Sequence, residues 1–158
     1  MTLDDARQRM MNMVLGYQTI HMLREVANLG IVEILAEAPQ APDELAEATG
    51  TRAPVLARMM GDLVTRGVYD RSESGQLSLN ALSNLLRRDQ LGSLTPMILD
   101  IGGSHTQIAW TQLGHTLTTG EPAFLSAHGT GFWEYLDAHP EVSENFNEFM
   151  VQWSHDRH

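Results

Sequence analysis

Residues 41–79 read APDELAEATGTRAPVLARMMGDLVTRGVYDRSESGQLSL, and the placing of their glycines and prolines leaves the backbone few options. Pro42 suits a first helical turn, where its missing N–H is no loss, and Asp43 and Glu44 follow where the helix dipole favours acids. Gly50 closes that helix. Thr51 is the expected N-cap of a second helix running to about Arg66, with Leu56, Met59, Met60 and Leu63 as its inward stripe. Gly67 ends it, and residues 68–71 and 76–79 read as two short strands around Ser74-Gly75. Helix, tight turn, helix and a small β-wing make a mainly α, winged-helix-like domain.

That layout is shared with DNA readers, and charge argues against that use. The 158 residues hold 20 acidic and 10 basic side chains, a formal charge of −10, and every basic residue is Arg. Affinity for nucleic acid comes mainly from cations that displace phosphate counterions. Arg52, Arg58 and Arg66 could face phosphates, yet the same helix carries Met59, Met60, Asp62 and Val64, and the wing tip SESG places an acid where a base is wanted. The expectation is no nucleic-acid partner and a helix-turn-helix used as scaffold.

Upstream, residues 4–38 read as helix almost throughout. Met10, Met13, Val14, Tyr17, Ile20 and His21 mark one face, while Met11, Leu15, Met22 and Leu23 place apolar groups on the others. A helix apolar all round must be covered on all sides, which the first helix of a small domain does not achieve alone. A second subunit is therefore expected, with an ordinary core helix as the plainer alternative. Gly16 costs helix stability but permits close approach, and Gly30 looks like a C-terminal cap. A further helix is expected from Asn80 through Leu86. From Ser93 onward the pattern is helical again, broken at Gly102-Gly103, Gly114, Gly120 and Gly129, and Val142, Phe146, Phe149 and Trp153 form the stripe of a last helix.

Chemistry-bearing motifs are few. No Cys is present, so there is no disulfide framework, thiolate metal site or cysteine nucleophile. LDIGGSH, residues 99–105, offers Asp100, Gly102 and Gly103 as part of a nucleotide-binding turn, with Glu121 at about the distance of a ribose-binding acid. The third glycine is missing, the preceding SLTPMI is a poor strand, and the helical remainder cannot build a parallel sheet, so a helix break is the better reading. None of the seven His has metal-ligand spacing; His155 and His158 are three apart in the tail. No metal and no nucleophile–base pattern is expected. No apolar run approaches the roughly 20 residues of a membrane span, and no signal-peptide core follows the N-terminus, so a cytoplasmic, membrane-free protein is expected. The aromatics Trp110, Phe124, Phe132, Trp133, Phe146 and Phe149 crowd the second half. Most suit a core, and some suit the wall of a pocket for a flat apolar ligand.

Taken in order, these pieces are similar to a known family. LREVANLGIVEILAEAP, DELAEATGTRAPVLARMMGDLVTRGVY, GQLSLNALSNLLRRD with GSLTPM, and AWTQLGHTLTTGEPAF followed by HGTGFWEYLDAHPEVSENFNEFM run over nearly the whole chain. They resemble the N-terminal region of small-molecule S-adenosylmethionine-dependent O-methyltransferases, which act on plant phenolics and bacterial aromatic polyketides. The resemblance implies a winged-helix-like dimerisation domain over residues 1–90, intertwined as a homodimer through its N-terminal helices. It also implies a helical connector over residues 91–158 that forms one wall of the acceptor pocket. The pocket positions carried over are Trp110, Phe124, Trp133, Phe146 and Met150, with Tyr17 contributing across the dimer, around a small aromatic ligand. In the family the cofactor and catalytic base belong to a C-terminal Rossmann-like domain, which this sequence does not contain. The resemblance thus implies no catalytic residue and no cofactor on this chain, with S-adenosylmethionine on a separate or missing catalytic domain. Two alternatives stay open: a repurposed relative that binds or cyclises a polyketide-like ligand without that cofactor, and a ligand-responsive winged-helix regulator.

Overall fold

The computed structural model describes residues 1–155, the side chain of His155 excepted. The chain divides into two compact units, residues 1–88 and 89–158.

The first unit opens with α1 (Leu3–Asn28). Thr2 and Asp5 close a reciprocal cap: the Thr2 hydroxyl accepts from the Asp5 N–H at 3.1 Å, and the Asp5 carboxylate accepts from the Thr2 N–H at 2.9 Å. The bond from the Thr2 backbone, then that from its side chain, lowers the Asp5 carboxyl from its ordinary range. Gly30, at φ 66°, turns the chain sharply into α2 (Ile31–Glu37), so the helical run of residues 4–38 is two helices. α3 (Pro42–Thr49) has Glu44 reaching back to the Ala41 N–H at 2.7 Å, and it ends at left-handed Gly50, after which the Thr51 N–H donates to the Ala46 carbonyl.

The second helix of the turn, α4 (Ala53–Thr65), starts one residue later than expected. Arg52 takes the cap position without a side-chain bond, because the Thr51 hydroxyl is engaged with that of Thr49 at 3.0 Å. Leu56, Met60 and Leu63 are buried; Met59, expected with them, is only half-buried. Strands β1 (Tyr69–Arg71) and β2 (Leu77–Leu79) pair antiparallel, Tyr69 with Leu79 and Arg71 with Leu77, and Gln40 bridges to Leu77 as a third chain. Asn80 caps α5 (Ala81–Asn84) through its side-chain oxygen. Regular helix stops there, and three-residue turns carry the chain to Arg87, short of the helix through Leu86 read from the sequence. α2, α3, α4 and the hairpin close on a core that includes Ile31, Leu35, Leu45, Met60, Leu63 and Tyr69.

The second unit is all helix among the described residues: α6 (Thr95–Ile101), α7 (Ser104–Trp110), α8 (Leu113–Thr119), α9 (Ala123–His128), α10 (Phe132–Ala138) and α11 (Pro140–His155). Left-handed Gly120 and Gly129 end α8 and α9. Gly114 was expected to break the chain, but it lies inside α8 in open space, where one glycine's entropy is outweighed by helix on both sides. α11 packs on α6 and is tied to the preceding loop: Gly92 N–H donates to Gln152 Oε1 at 2.7 Å, and Asn145 Nδ2 donates to the Pro96 carbonyl at 3.0 Å. SLTPMI is thus the start of a helix, and no strand precedes Gly102.

Candidate functional site

The most unusual surface of the first unit is α1. Only Val26 and Ala27 of its 26 residues are buried, both in its last turn. Leu3, Ala6, Met10, Met13, Tyr17 and Ile20 repeat at steps of three and four, the spacing of a helix–helix seam. Most of this seam is bare: Met13 is 63 % exposed and Tyr17 is 59 % exposed, Leu3 and Met10 are exposed as well, as is Val14 beside it, while Ala6 and Ile20 are half-buried. Exposed apolar side chains are ordinary when scattered and informative when contiguous. Tyr17 meets His21 edge-on with ring centroids 6.4 Å apart, so the stripe continues one turn further.

Beside the C-terminal turns of α1 lies an apolar hollow of about 360 Å³, lined by Glu25, Leu29, Arg52, Val55, Leu56 and Met59. From the sequence Arg52 was weighed only as a phosphate contact and Leu56 and Met59 only as core; the hollow itself was not expected, because it exists only where α1 meets α4. Val55, at its edge, is 64 % exposed.

In the second unit the expected pocket residues separate into two groups. Phe124 and Phe146 are joined through Phe132, edge-on to both at 5.2 and 5.1 Å between centroids. Trp133 lies 6.0 Å from Phe146 and is 67 % exposed, so it forms the outer lip of this aromatic face. Met150 follows on α11 about one turn after Phe146 and is also exposed. Trp110 is not part of this network among the described residues. It lines a separate shallow hollow of about 210 Å³ with Ala109, Leu113, Thr116 and Ala123. Tyr17 belongs to the first unit, on the bare stripe of α1.

Two features escaped the sequence reading. Tyr135 is the hub of the inner aromatic face, stacked on His139 at 3.9 Å and in contact with Phe124, His128 and His105. Its position three residues after Phe132, on the same turn of α10, was the available signal. The second is a buried pair, His105 with Asp100 at 3.4 Å, while His128 Nε2 lies 2.8 Å from the His105 carbonyl. The pair is five residues apart, which no single helix brings together; the Gly102–Gly103 turn folds His105 back onto α6. A Cβ on Gly103 would meet the His105 ring at 2.6 Å, so Gly103 of LDIGGSH serves side-chain packing. Among the described residues no three His, Asp or Glu side chains gather as a metal site, and His158 and the His155 side chain lie outside them.

On the winged-helix segment, Arg66 is tied to Asp62 at 2.9 Å in its own helix. Tyr69 is fully buried and its hydroxyl has no partner; burial, with the Glu33 charge nearby, pushes its phenol well above the ordinary value. No described helix is long and apolar enough to cross a membrane.

The model of the O-methyltransferase dimerisation domain matches residues 11–89. The chain is 35 % identical over 145 residues to the phenazine O-methyltransferase PhzM of Lysobacter antibioticus, covering 92 % of this chain and 42 % of that protein. It is 37 % identical over 135 residues to the mitomycin biosynthesis 6-O-methyltransferase of Streptomyces lavendulae, covering 84 % and 38 %. The crystal structure of LaPhzM superposes with a TM-score of 0.87 at 33 % identity, over 94 % of this chain and 45 % of that one. A relative with another reaction in its name, the aclacinomycin 10-hydroxylase RdmB of Streptomyces purpurascens, is 30 % identical over 131 residues, covering 81 % and 35 %. The chain thus spans about two fifths of the length of the relatives it matches. A bare apolar first helix, a winged-helix scaffold and this family match together place the chain in the O-methyltransferase dimerisation-domain family.

Proposed function

We propose that residues 1–158 are the dimerisation and acceptor-binding part of an O-methyltransferase that acts on a planar aromatic natural product. Residues 1–90 make the subunit contact and residues 91–158 supply one wall of the acceptor pocket. The observation that carries the reading is the aromatic face of the second unit, Phe124, Phe132 and Phe146 edge-on behind an exposed Trp133. Offset and edge-on rings present flat, polarizable surface at little rotamer cost, which suits a flat guest. Relatives named for phenazine and for 3-amino-4-hydroxybenzoate support that ligand class. Trp133 and Phe146 hold the ring, Met150 adapts to its edge, and Tyr17 of a second copy closes one side; Trp110 holds a substituent. The part played here is orientation: a phenol fixed so that its oxygen meets a methyl group in line gains a large share of the rate from positioning alone. S-adenosylmethionine and the base that removes the phenolic proton are held outside these residues, with no nucleic acid or membrane involved and the work done in the cytoplasm.

Two titrations on the 158-residue chain test this division. Calorimetry with S-adenosylmethionine should give no heat, and clear micromolar binding would overturn it. A hydroxyphenazine should quench tryptophan fluorescence, and Trp133→Ala should remove most of that response; an unchanged response in the variant sinks the aromatic wall.

The hydroxylase relative favours a second reading, in which the same scaffold holds a polyketide-like ligand for chemistry other than methylation. Both readings share the aromatic wall, and product analysis of the whole protein with a phenolic acceptor separates them.

A further inference from the structure

We propose that the hollow beside Trp110 selects the substituent it receives: an uncharged, oxygen-bearing group of the acceptor, a hydroxyl or a quinone carbonyl, with Thr116 as the residue that recognises the oxygen. This rests on the acceptor-wall reading above and names the chemistry of the group held at Trp110.

The hydroxyl of Thr116 carries the inference. Three threonines stand on α8, and two return their hydroxyls to the helix. Thr118 donates to the Gly114 carbonyl at 3.1 Å and Thr119 to the His115 carbonyl at 2.8 Å. The Thr116 hydroxyl makes no such bond. Its oxygen is buried without a partner among the described residues, and Thr116 forms part of the wall of the hollow. A buried hydroxyl left unpaired costs free energy that an incoming polar group recovers. Rotation about χ1 exchanges the hydroxyl with the methyl group, which brings the oxygen to the hollow. A hydroxyl both donates and accepts, so it meets a carbonyl as readily as another hydroxyl.

Size and charge narrow the occupant. The hollow measures about 210 Å³. An apolar cavity of about 150 Å³ takes a benzene ring, so this one has room for a single ring or a short arm. No residue that lines it is ionisable. Neither Lys nor Arg occurs anywhere from Asp89 to Asp156. An ionised carboxylate placed here would lose its water and gain no cation, the costly case of burial, whereas a neutral oxygen loses less and gains Thr116. Helix α9 joins this hollow to the aromatic wall: Ala123 lines the hollow, and Phe124, the next residue, enters the ring network.

Calorimetry on the 158-residue chain with three matched ligands tests the assignment. They are a dihydroxyphenazine, its analogue with one hydroxyl replaced by methyl, and its analogue with that hydroxyl replaced by carboxylate. The dihydroxyphenazine should bind about fivefold more tightly than the methyl analogue, and the carboxylate should bind most weakly. Thr116→Val keeps the shape and removes the hydroxyl; it should erase the fivefold difference and leave the methyl analogue's affinity in place, while Thr116→Ser should keep the difference. Because the hydroxyl has no partner in the free chain, Thr116→Val should not lower the thermal midpoint. Equal affinity for hydroxyl and methyl in the unmodified chain, or a difference that survives in Thr116→Val, would overturn the proposal. A carboxylate bound as tightly as the hydroxyl would do the same, as would a lowered midpoint in Thr116→Val, which would show the hydroxyl already bonded within the fold or to water. In each of those cases the acceptor wall stands. Absence of binding by all three ligands, or binding unchanged by Trp133→Ala, would end the wall and this inference together.

Discussion

Tyr69 and Gly103 show how single side chains set local stability here. The Tyr69 hydroxyl is buried with no partner, so its removal gives up no hydrogen bond. Tyr69→Phe should leave stability unchanged or raise it by about 1 kcal/mol in urea unfolding. The same phenol sets an alkaline limit. Its value is raised above the 10.0 of a free tyrosine, so its contribution is whole below pH 10. Above pH 10 the unfolded chain ionises Tyr69 while the folded chain holds the proton, and stability falls as pH rises. That fall should shrink in Tyr69→Phe, as read from unfolding midpoints at pH 9 and pH 11. Gly103→Ala places a methyl 2.6 Å from the His105 ring and 2.9 Å from the Leu99 carbonyl and should cost about 1–3 kcal/mol. Gly114→Ala, in open space inside α8, should stabilise by about 1 kcal/mol. Thermal melts of the two glycine variants should move in opposite directions. From sequence both glycines read as helix breaks. Only the neighbour, a ring for one and solvent for the other, distinguishes them.

Among the elements, α1 carries the heaviest expectation. Its apolar faces were legible because period-3.6 patterning survives in any sequence that makes a helix, and the need for cover followed from counting those faces. Val14 is exposed in the isolated chain, so Val14→Asp should leave helix content and melting of the separated monomer nearly unchanged. In the assembled protein it places an unpaired charge in a dry seam and should drop the mass from about twice 17.6 kDa to 17.6 kDa by light scattering. A Val14→Asp variant that stays dimeric would count against the seam. The N-terminal cap of α1 adds a pH effect. The Asp5 carboxyl is lowered by its bonds to Thr2, so the cap is intact above the ordinary carboxylate range and is lost as pH falls through it. Amide protection factors, which divide out the intrinsic slowing of exchange in acid, should fall at the first turn on acidification and stay unchanged in α4. The helix-turn-helix and hairpin were read within a residue or two, since glycine and proline mark their ends. The misplaced start of α4 came from a hydroxyl contact, Thr49 with Thr51, that no propensity encodes.

For the assembled protein, the expectation is a division of labour between subunit contact, acceptor wall and a cofactor held elsewhere. Trp133→Ala should raise KM for a flat phenolic acceptor about tenfold, roughly 1.4 kcal/mol of binding, with a smaller change in kcat and none in cofactor affinity. Equal loss in kcat and kcat/KM would move Trp133 from holding the substrate to acting in the transition state. Element types, the winged-helix order and the demand for a partner could be read in advance because they depend on spacing and composition, which are local properties of the chain. The hollow between α1 and α4, the His105–Asp100 pair, the hub at Tyr135 and the separation of Trp110 from the other aromatics could not. Each is a meeting of residues from different helices, and the directions in which helices leave their turns are fixed by packing as a whole.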